Sequence, residues 1–479
     1  MQAVHLSILA GYLLVMVAIA VAITRRGKIK SGDDFMFAGR SLSRPVLVGT
    51  LLATWVGSGT IVGGANFVYS HGPLAGMIFF AGGPVGILVL YLIARRVRRA
   101  SRYTLPELLE VRFGSGVRTA AALVTILAYL GIAASQFMGG GYVLSLITPL
   151  DATEATILVA VIVTLLTISG GLFSVAYTDF LSTLVIVGAL IVSVPVVFAA
   201  VGGVDAYWSE LPQQATTVTG GLSWIQLLGF FLPTLLLILA DQNMYQRLTA
   251  AKDENQARSA ALGMFGASFA VYIPVTLLAS AAMILLPQID ADMAILGLAA
   301  EGHVPVLIGG LILACAAAFV ITTGSSYMLS CASNLTYDLY ARFLRSDSTD
   351  AQRLRVQRGA VLAVAVIAFV LGMFFPTVLD LQLYSYTVYG AAMVPTVFAV
   401  LFWKRATPAG AFAALIAGAV TTVLWQLGGS SVEAALGVDE IEGVLVALPI
   451  AVVAMVAVSL LTRPRQTEPS EELHHQPST

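Results

Sequence analysis

The groups in this sequence that could do chemistry are oxygens set inside apolar runs. In ACAAAFVITTGSSYMLSCASNLTYDLY, Thr322, Thr323, Ser325 and Ser326 fall within about one and a half helical turns. Positions three and four apart share a helix face, so Thr322, Ser325 and Ser326 project together and Thr323 borders them. Serine and threonine can instead bond back to a carbonyl of the preceding turn. That accounts for one or two hydroxyls more easily than for four around Gly324. Hydroxyl and carbonyl oxygens without a full carboxylate cage suit a singly charged, weakly held cation such as Na⁺.

A second stretch offers carbonyls. In residues 51–69, LLATWVGSGTIVGGANFVY, Gly57, Gly59, Gly63 and Gly64 crowd the middle of an apolar run. Each glycine inside a helix costs roughly 0.5–1 kcal/mol relative to alanine. Two readings stay open: the glycines admit a neighbouring helix, as is common in membranes, or the helix unwinds and frees backbone oxygens toward a cation. Asp179, in SGGLFSVAYTDFLSTLVI, is either a functional acid at membrane depth or a cap on a helix N-terminus. Asp241, Gln242 and Asn243 end another apolar run. Asp241 either pairs with Arg247 or lines a solute cavity, and Gly229 and Pro233 upstream suggest a second interrupted helix.

These residues need elements to hold them, and the composition says which. The chain is 58% hydrophobic and 11% charged, with mean hydropathy +0.89, where soluble domains carry about 25% charged residues. It is an integral membrane protein. Thirteen apolar runs of spanning length appear, at 5–24, 45–69, 74–94, 117–147, 155–170, 178–201, 222–242, 260–286, 304–330, 359–377, 384–403, 409–427 and 443–462. With the N-terminus outside, all 25 Lys and Arg residues fall in inner loops. Outer loops hold acids such as Asp151, Glu210, Asp290 and Glu433 and no basic residue, as the positive-inside rule requires. The N-terminus is therefore placed outside and the C-terminus in the cytoplasm of a multi-pass plasma-membrane protein. The tail 466–479, including His474 and His475, reads as disordered and solvated. Cys315 and Cys331 are sixteen residues apart, roughly 24 Å along a helix and beyond disulfide reach.

If the second and seventh crossings are both broken, five crossings separate their starts. An odd number inverts topology, so crossings two to six and seven to eleven can form inverted repeats with a midplane site. That divides one transmembrane domain, 1–465, into an extra first helix (5–24), repeat one (45–201), repeat two (222–403) and two C-terminal helices (409–462).

The runs FAGRSLSRPVLVGTLLATWVGSGT, GGLFSVAYTDF, DQNMYQRLTAAKD and SSYMLSCASNLTYDLY resemble, in order and spacing, the sodium/solute symporter family. This family includes sodium-coupled sugar, proline, sialic acid and choline transporters. The resemblance runs from about residue 5 to 460. It implies an all-α membrane protein of the leucine-transporter-like fold. It also implies a Na⁺ site from the carbonyls of Ala53, Val56 and Phe319 with the hydroxyls of Thr322 and Thr323. Phe319 stands where the family usually has alanine. Asp179, Ser325 and Ser326, with Thr322, match a second Na⁺ site carried by some members. Trp55, Thr60 and Asp241 match substrate contacts, with Gln242 adjacent; Gln136 is added on polarity alone.

The expected function is Na⁺-coupled symport of a small organic solute into the cell by alternating access. The lean is toward an amine-bearing or zwitterionic solute: ATWVG and GGLFSVAYTD most resemble the choline-transporter branch, where Trp55 matches an aromatic that contacts the cationic substrate, and tryptophan attracts cations. An H⁺-coupled symporter using Asp179 or Asp241, and a sensor with the transporter fold, remain open alternatives. An enzyme is disfavoured because His71 and His303 sit near outer loops without a matched partner. The basic residues follow topology, so nothing points to nucleic acid, and no obligate protein partner is evident.

Overall fold

A computed structural model describes residues 2–25, 40–100, 104–169, 172–344, 349–438 and 440–463. The tail 466–479 with its two histidines lies outside them, as does most of the loop holding the first residues of FAGRSLSRP. Among the described residues all regular structure is helical, and every one of the thirteen expected segments falls on a helix.

The second crossing is broken. Helix Arg44–Trp55 opens with Pro45 in its first turn and stops where Val56 turns extended, at φ −82° and ψ 100°. The chain restarts through a widened turn, Gly59–Gly63, into helix Gly64–His71. The two halves meet at 60°. The seventh crossing starts on a capping box, in which Ser223 and Gln226 satisfy each other's backbone N–H groups. It runs unbroken through Gly229 and Pro233, contrary to the expected interruption there, and breaks at Asp241 (φ −64°, ψ 117°) before helix Gln242–Thr249. Gly229 serves close packing instead. A Cβ on it would stand 2.5 Å from the Cβ of Glu442, so the glycine admits the start of the thirteenth crossing.

Helix packing shows the inverted repeat directly. Shifting the crossings of one repeat by five maps its main contacts onto those of the other. The third packs on the eighth and the fourth on the ninth. The second on the sixth is mirrored by the seventh on the eleventh, the third on the seventh by the eighth on the second, and the fourth on the eleventh by the ninth on the sixth. The two broken helices thus occupy equivalent places, which is where a midplane site belongs.

At one end of this bundle a short helix, Leu105–Phe113, straps several crossings together. Arg112 donates to the carbonyls of Ala399, Val400 and Trp403 at the end of the eleventh crossing. Leu105 N–H donates to Gln242 Oε1 at 3.1 Å. Glu110 takes one bond from Arg118 (2.6 Å) and one from Arg342 (2.8 Å), and Arg118 reaches Asp338 at 2.6 Å.

Candidate functional site

The break in the second crossing faces the hydroxyl cluster of the ninth. Thr323 donates from Oγ1 to the carbonyl of Ala53 at 3.2 Å. A Cβ on Gly57 would come within 3.3 Å of that same Oγ1. Phe319 and Thr322 stand on the same helix, Val306–Ser333, one turn and one residue back from Thr323; of Phe319 only the backbone is described. The Ala53 carbonyl and the Thr323 hydroxyl therefore meet just before Val56 turns extended and the helix stops. A helix C-terminus carries partial negative charge, which favours a cation at that spot.

Gln136, on the fourth crossing, reaches the other side of the break. Its Oε1 accepts from the Ser58 N–H at 3.0 Å, and Ser58 Oγ donates to the Ser135 carbonyl at 2.9 Å. Gln136 thus satisfies one backbone N–H that the break exposes, and its carbonyl oxygen is occupied.

Above the break an aromatic wall forms around Trp55. The indole N–H donates to the hydroxyl of Tyr272, whose ring stacks on Phe80 at 4.8 Å. Tyr386 lies 6.1 Å from Trp55, ring centre to ring centre. Thr60 sits in the widened turn with its hydroxyl 3.5 Å from the Trp55 carbonyl. Gln382, four residues before Tyr386, is buried with an unpartnered Oε1, and Gly59 and Gly63 give it room. These side chains offer ring faces, hydroxyls and one free amide oxygen, a surface suited to a small polar solute with an apolar body.

Asp241 is fully buried, and both its oxygens are taken. Tyr129 donates to Oδ1 at 2.6 Å, Tyr327 to Oδ2 at 2.8 Å, and the Asn243 N–H to Oδ1 at 2.9 Å. Tyr389 meanwhile caps the Ala240 carbonyl at 2.8 Å. The acid closes the break of the seventh crossing. It does not pair with Arg247; Gln242 beside it turns to Leu105.

Asp179 and Ser326 come together around Arg247, which the sequence offered as one possible partner of Asp241. Arg247 stands 3.5 Å from Asp179 Oδ2 and donates to Ser326 Oγ at 3.3 Å. Thr50 donates to the same Asp179 oxygen at 2.8 Å. Ser325 Oγ is buried nearby in sequence with no hydrogen-bond partner in the protein.

The model of the sodium:solute symporter family matches residues 35–418. The chain belongs to that family. It is similar to the high-affinity proline transporter PutP of Bacillus subtilis (strain 168), 28% identical over 420 residues, covering 83% of this chain and 87% of the relative. The sodium/proline symporter of Escherichia coli (strain K12) is 27% identical over 425 residues, 83% of each chain. A solved Na⁺-coupled sialic acid symporter in its substrate-bound outward-open state shares the fold at TM-score 0.80 and 18% identity, over 97% of this chain and 99% of that one. As a sodium:solute symporter, the protein is a membrane transporter that uses Na⁺ as its coupling ion, and not an enzyme. Its architecture is leucine-transporter-like.

Several groups in the symporter's centre escaped the sequence reading. Gln382, Tyr386 and Tyr389 recur at spacings of four and three on the eleventh crossing, a one-face helical pattern in LQLYSYTVYG that was legible. Tyr129, Tyr272 and Tyr327 carried no such signal: single tyrosines in apolar helices look alike until the fold brings them together.

Proposed function

We propose that this symporter imports a small zwitterion of the charge and size of proline, one Na⁺ binding at the break of the second crossing against the ninth. The Thr323 hydroxyl at 3.2 Å from the freed Ala53 carbonyl carries the reading. Ala53, Val56, Phe319, Thr322 and Thr323 are the ion's ligands in this proposal. The solute lies beside it against Trp55, Tyr386 and Gln382, with Thr60 at the turn. An ammonium group is favoured near the carbonyl end of helix Arg44–Trp55 and by the ring faces, a carboxylate near the N-terminal end of the restarted helix. The likeness to two proline transporters makes proline the first solute to try.

The membrane is the plasma membrane, with the N-terminus outside. Na⁺ enters from outside and bridges the second and ninth crossings, which readies the solute cavity; both leave to the cytoplasm once the bundle rocks. The ion and the solute each raise the other's affinity. Membrane potential adds about 2.3 kcal/mol per charge per 100 mV. Proline uptake into proteoliposomes under an inward Na⁺ gradient tests this. Replacing Thr322 and Thr323 together with alanine is expected to abolish Na⁺-stimulated uptake in a protein that still folds, and unaltered uptake would remove the ion from this place.

A further inference from the structure

We infer that the guanidinium of Arg247 is this transporter's built-in second cation, filling the oxygen cage at Asp179 in place of another Na⁺. The inference rests on the proposed single-ion site and concerns how many ions the fold admits beyond it.

Arg247 closes the seventh crossing with its side chain 1% exposed, among the largest side chains to be fully buried. Its Nε donates to Thr50 Oγ1 at 3.1 Å, Nη1 to the Asn243 carbonyl at 3.4 Å and Nη2 to Ser326 Oγ at 3.3 Å. Asp179 Oδ2 lies 3.5 Å from Nη2 and takes the Thr50 hydroxyl at 2.8 Å. Oxygens from the second, sixth, seventh and ninth crossings thus converge on one positive group. Hydroxyls, a carbonyl and one carboxylate are the set a hard monovalent ion would ask for, and here they already hold a charge fixed to the chain.

Asp179 Oδ1 and Ser325 Oγ are buried without a protein partner, and a second ion would have to use them. Charge decides against it. At about 4 Å a guanidinium repels Na⁺ as strongly as the carboxylate attracts it. With an effective dielectric constant near 20 the missing attraction weakens binding about a thousandfold relative to the same site without the arginine. Water or another neutral donor meets those two oxygens without that penalty.

The arginine also differs from an ion in what it does during transport. An ion that filled this cage would leave with each cycle and carry charge across. The guanidinium stays, joining the end of the seventh crossing to the second, sixth and ninth, so the coupling ratio is one Na⁺ per solute.

Counting radioactive Na⁺ bound to purified protein needs no known solute. One ion per chain is expected for the native protein and for Arg247→Lys, which keeps the charge. Two are expected for Arg247→Gln, which leaves Asp179 bare, and one again for Arg247→Gln with Asp179→Asn. Two ions on the native protein would overturn the inference whether or not any variant folds, as would an Arg247→Gln protein that binds only one. No ion at all would instead remove the sodium site on which the inference stands.

Discussion

At the level of single residues, the centre of this protein separates groups that could bind cargo from groups that hold the backbone open. In the sequence Asp241 either pairs with Arg247 or lines a solute cavity, and the family resemblance implies the solute contact. The structure supplies another role: three donors converge on it at 2.6 to 2.9 Å where the seventh crossing breaks. Replacing Asp241 with asparagine keeps the size and removes acceptor capacity, leaving one buried donor unmatched at a cost of about 1–3 kcal/mol. A lowered thermal midpoint with little change in the solute concentration for half-maximal uptake is expected. A preserved midpoint with a large loss of solute affinity would return Asp241 to the binding surface.

Among the elements, the broken second helix was half legible: four glycines crowd one apolar run, a composition that admits a close neighbour as readily as an unwound turn, and here they do both. The seventh was harder. Gly229 and Pro233 are the residues that ordinarily interrupt helices, yet both lie inside a continuous one, and the break falls at Asp241 beyond them. Proline is tolerated in a membrane helix because neighbours satisfy the freed carbonyl, and Gly229 answers to Glu442, far away in sequence. Periodicity could not show either partner. The spans themselves were readable, since thirteen apolar runs and one-sided basic loops constrain each other. The Arg247 cage was not, because it joins four helices that only the fold brings together. Glycines within one chain should accordingly respond differently to the same change. A Cβ at Gly57 would meet Gln136 Oε1 at 2.8 Å and Thr323 Cγ2 at 3.1 Å, whereas one at Gly266 has open space around it. Gly57→Ala is expected to raise the Na⁺ concentration for half-maximal uptake tenfold or more. Gly266→Ala should leave transport alone and stabilise the eighth crossing by about 0.5–1 kcal/mol. An unchanged sodium dependence in Gly57→Ala would move the ion away from the break.

Across the whole molecule, alternating access requires that one end of the bundle be closed while the other opens, and the strap Leu105–Phe113 is placed to close an end. Its Glu110 is shared by Arg118, at the start of the fourth crossing, and Arg342, beyond the ninth. Burial disfavours the charge on Glu110, but the two guanidiniums outweigh it and hold the carboxyl below its ordinary range. It therefore stays ionised, and the bridge stays made, at neutral pH. Removing Arg118 would strand Asp338, whose side chain is wholly buried, and an unpaired buried charge costs about 3–5 kcal/mol, enough to confuse unfolding with opening. The bonds of Glu110 are partly exposed and worth about 0.2–1 kcal/mol each, so Glu110→Gln shifts the balance of states by several-fold and spares the fold. Cys331 reports the shift, because its sulfur lies buried against the Ile126 carbonyl of the fourth crossing, and a parting of the fourth and ninth there uncovers it. In a Cys315→Ala background, with Na⁺ present, a small thiol reagent is expected to label Cys331 several-fold faster in Glu110→Gln than in the parent. Equal rates would mean that the strap only fastens the helix ends and that closure of this end lies with the packed side chains above it.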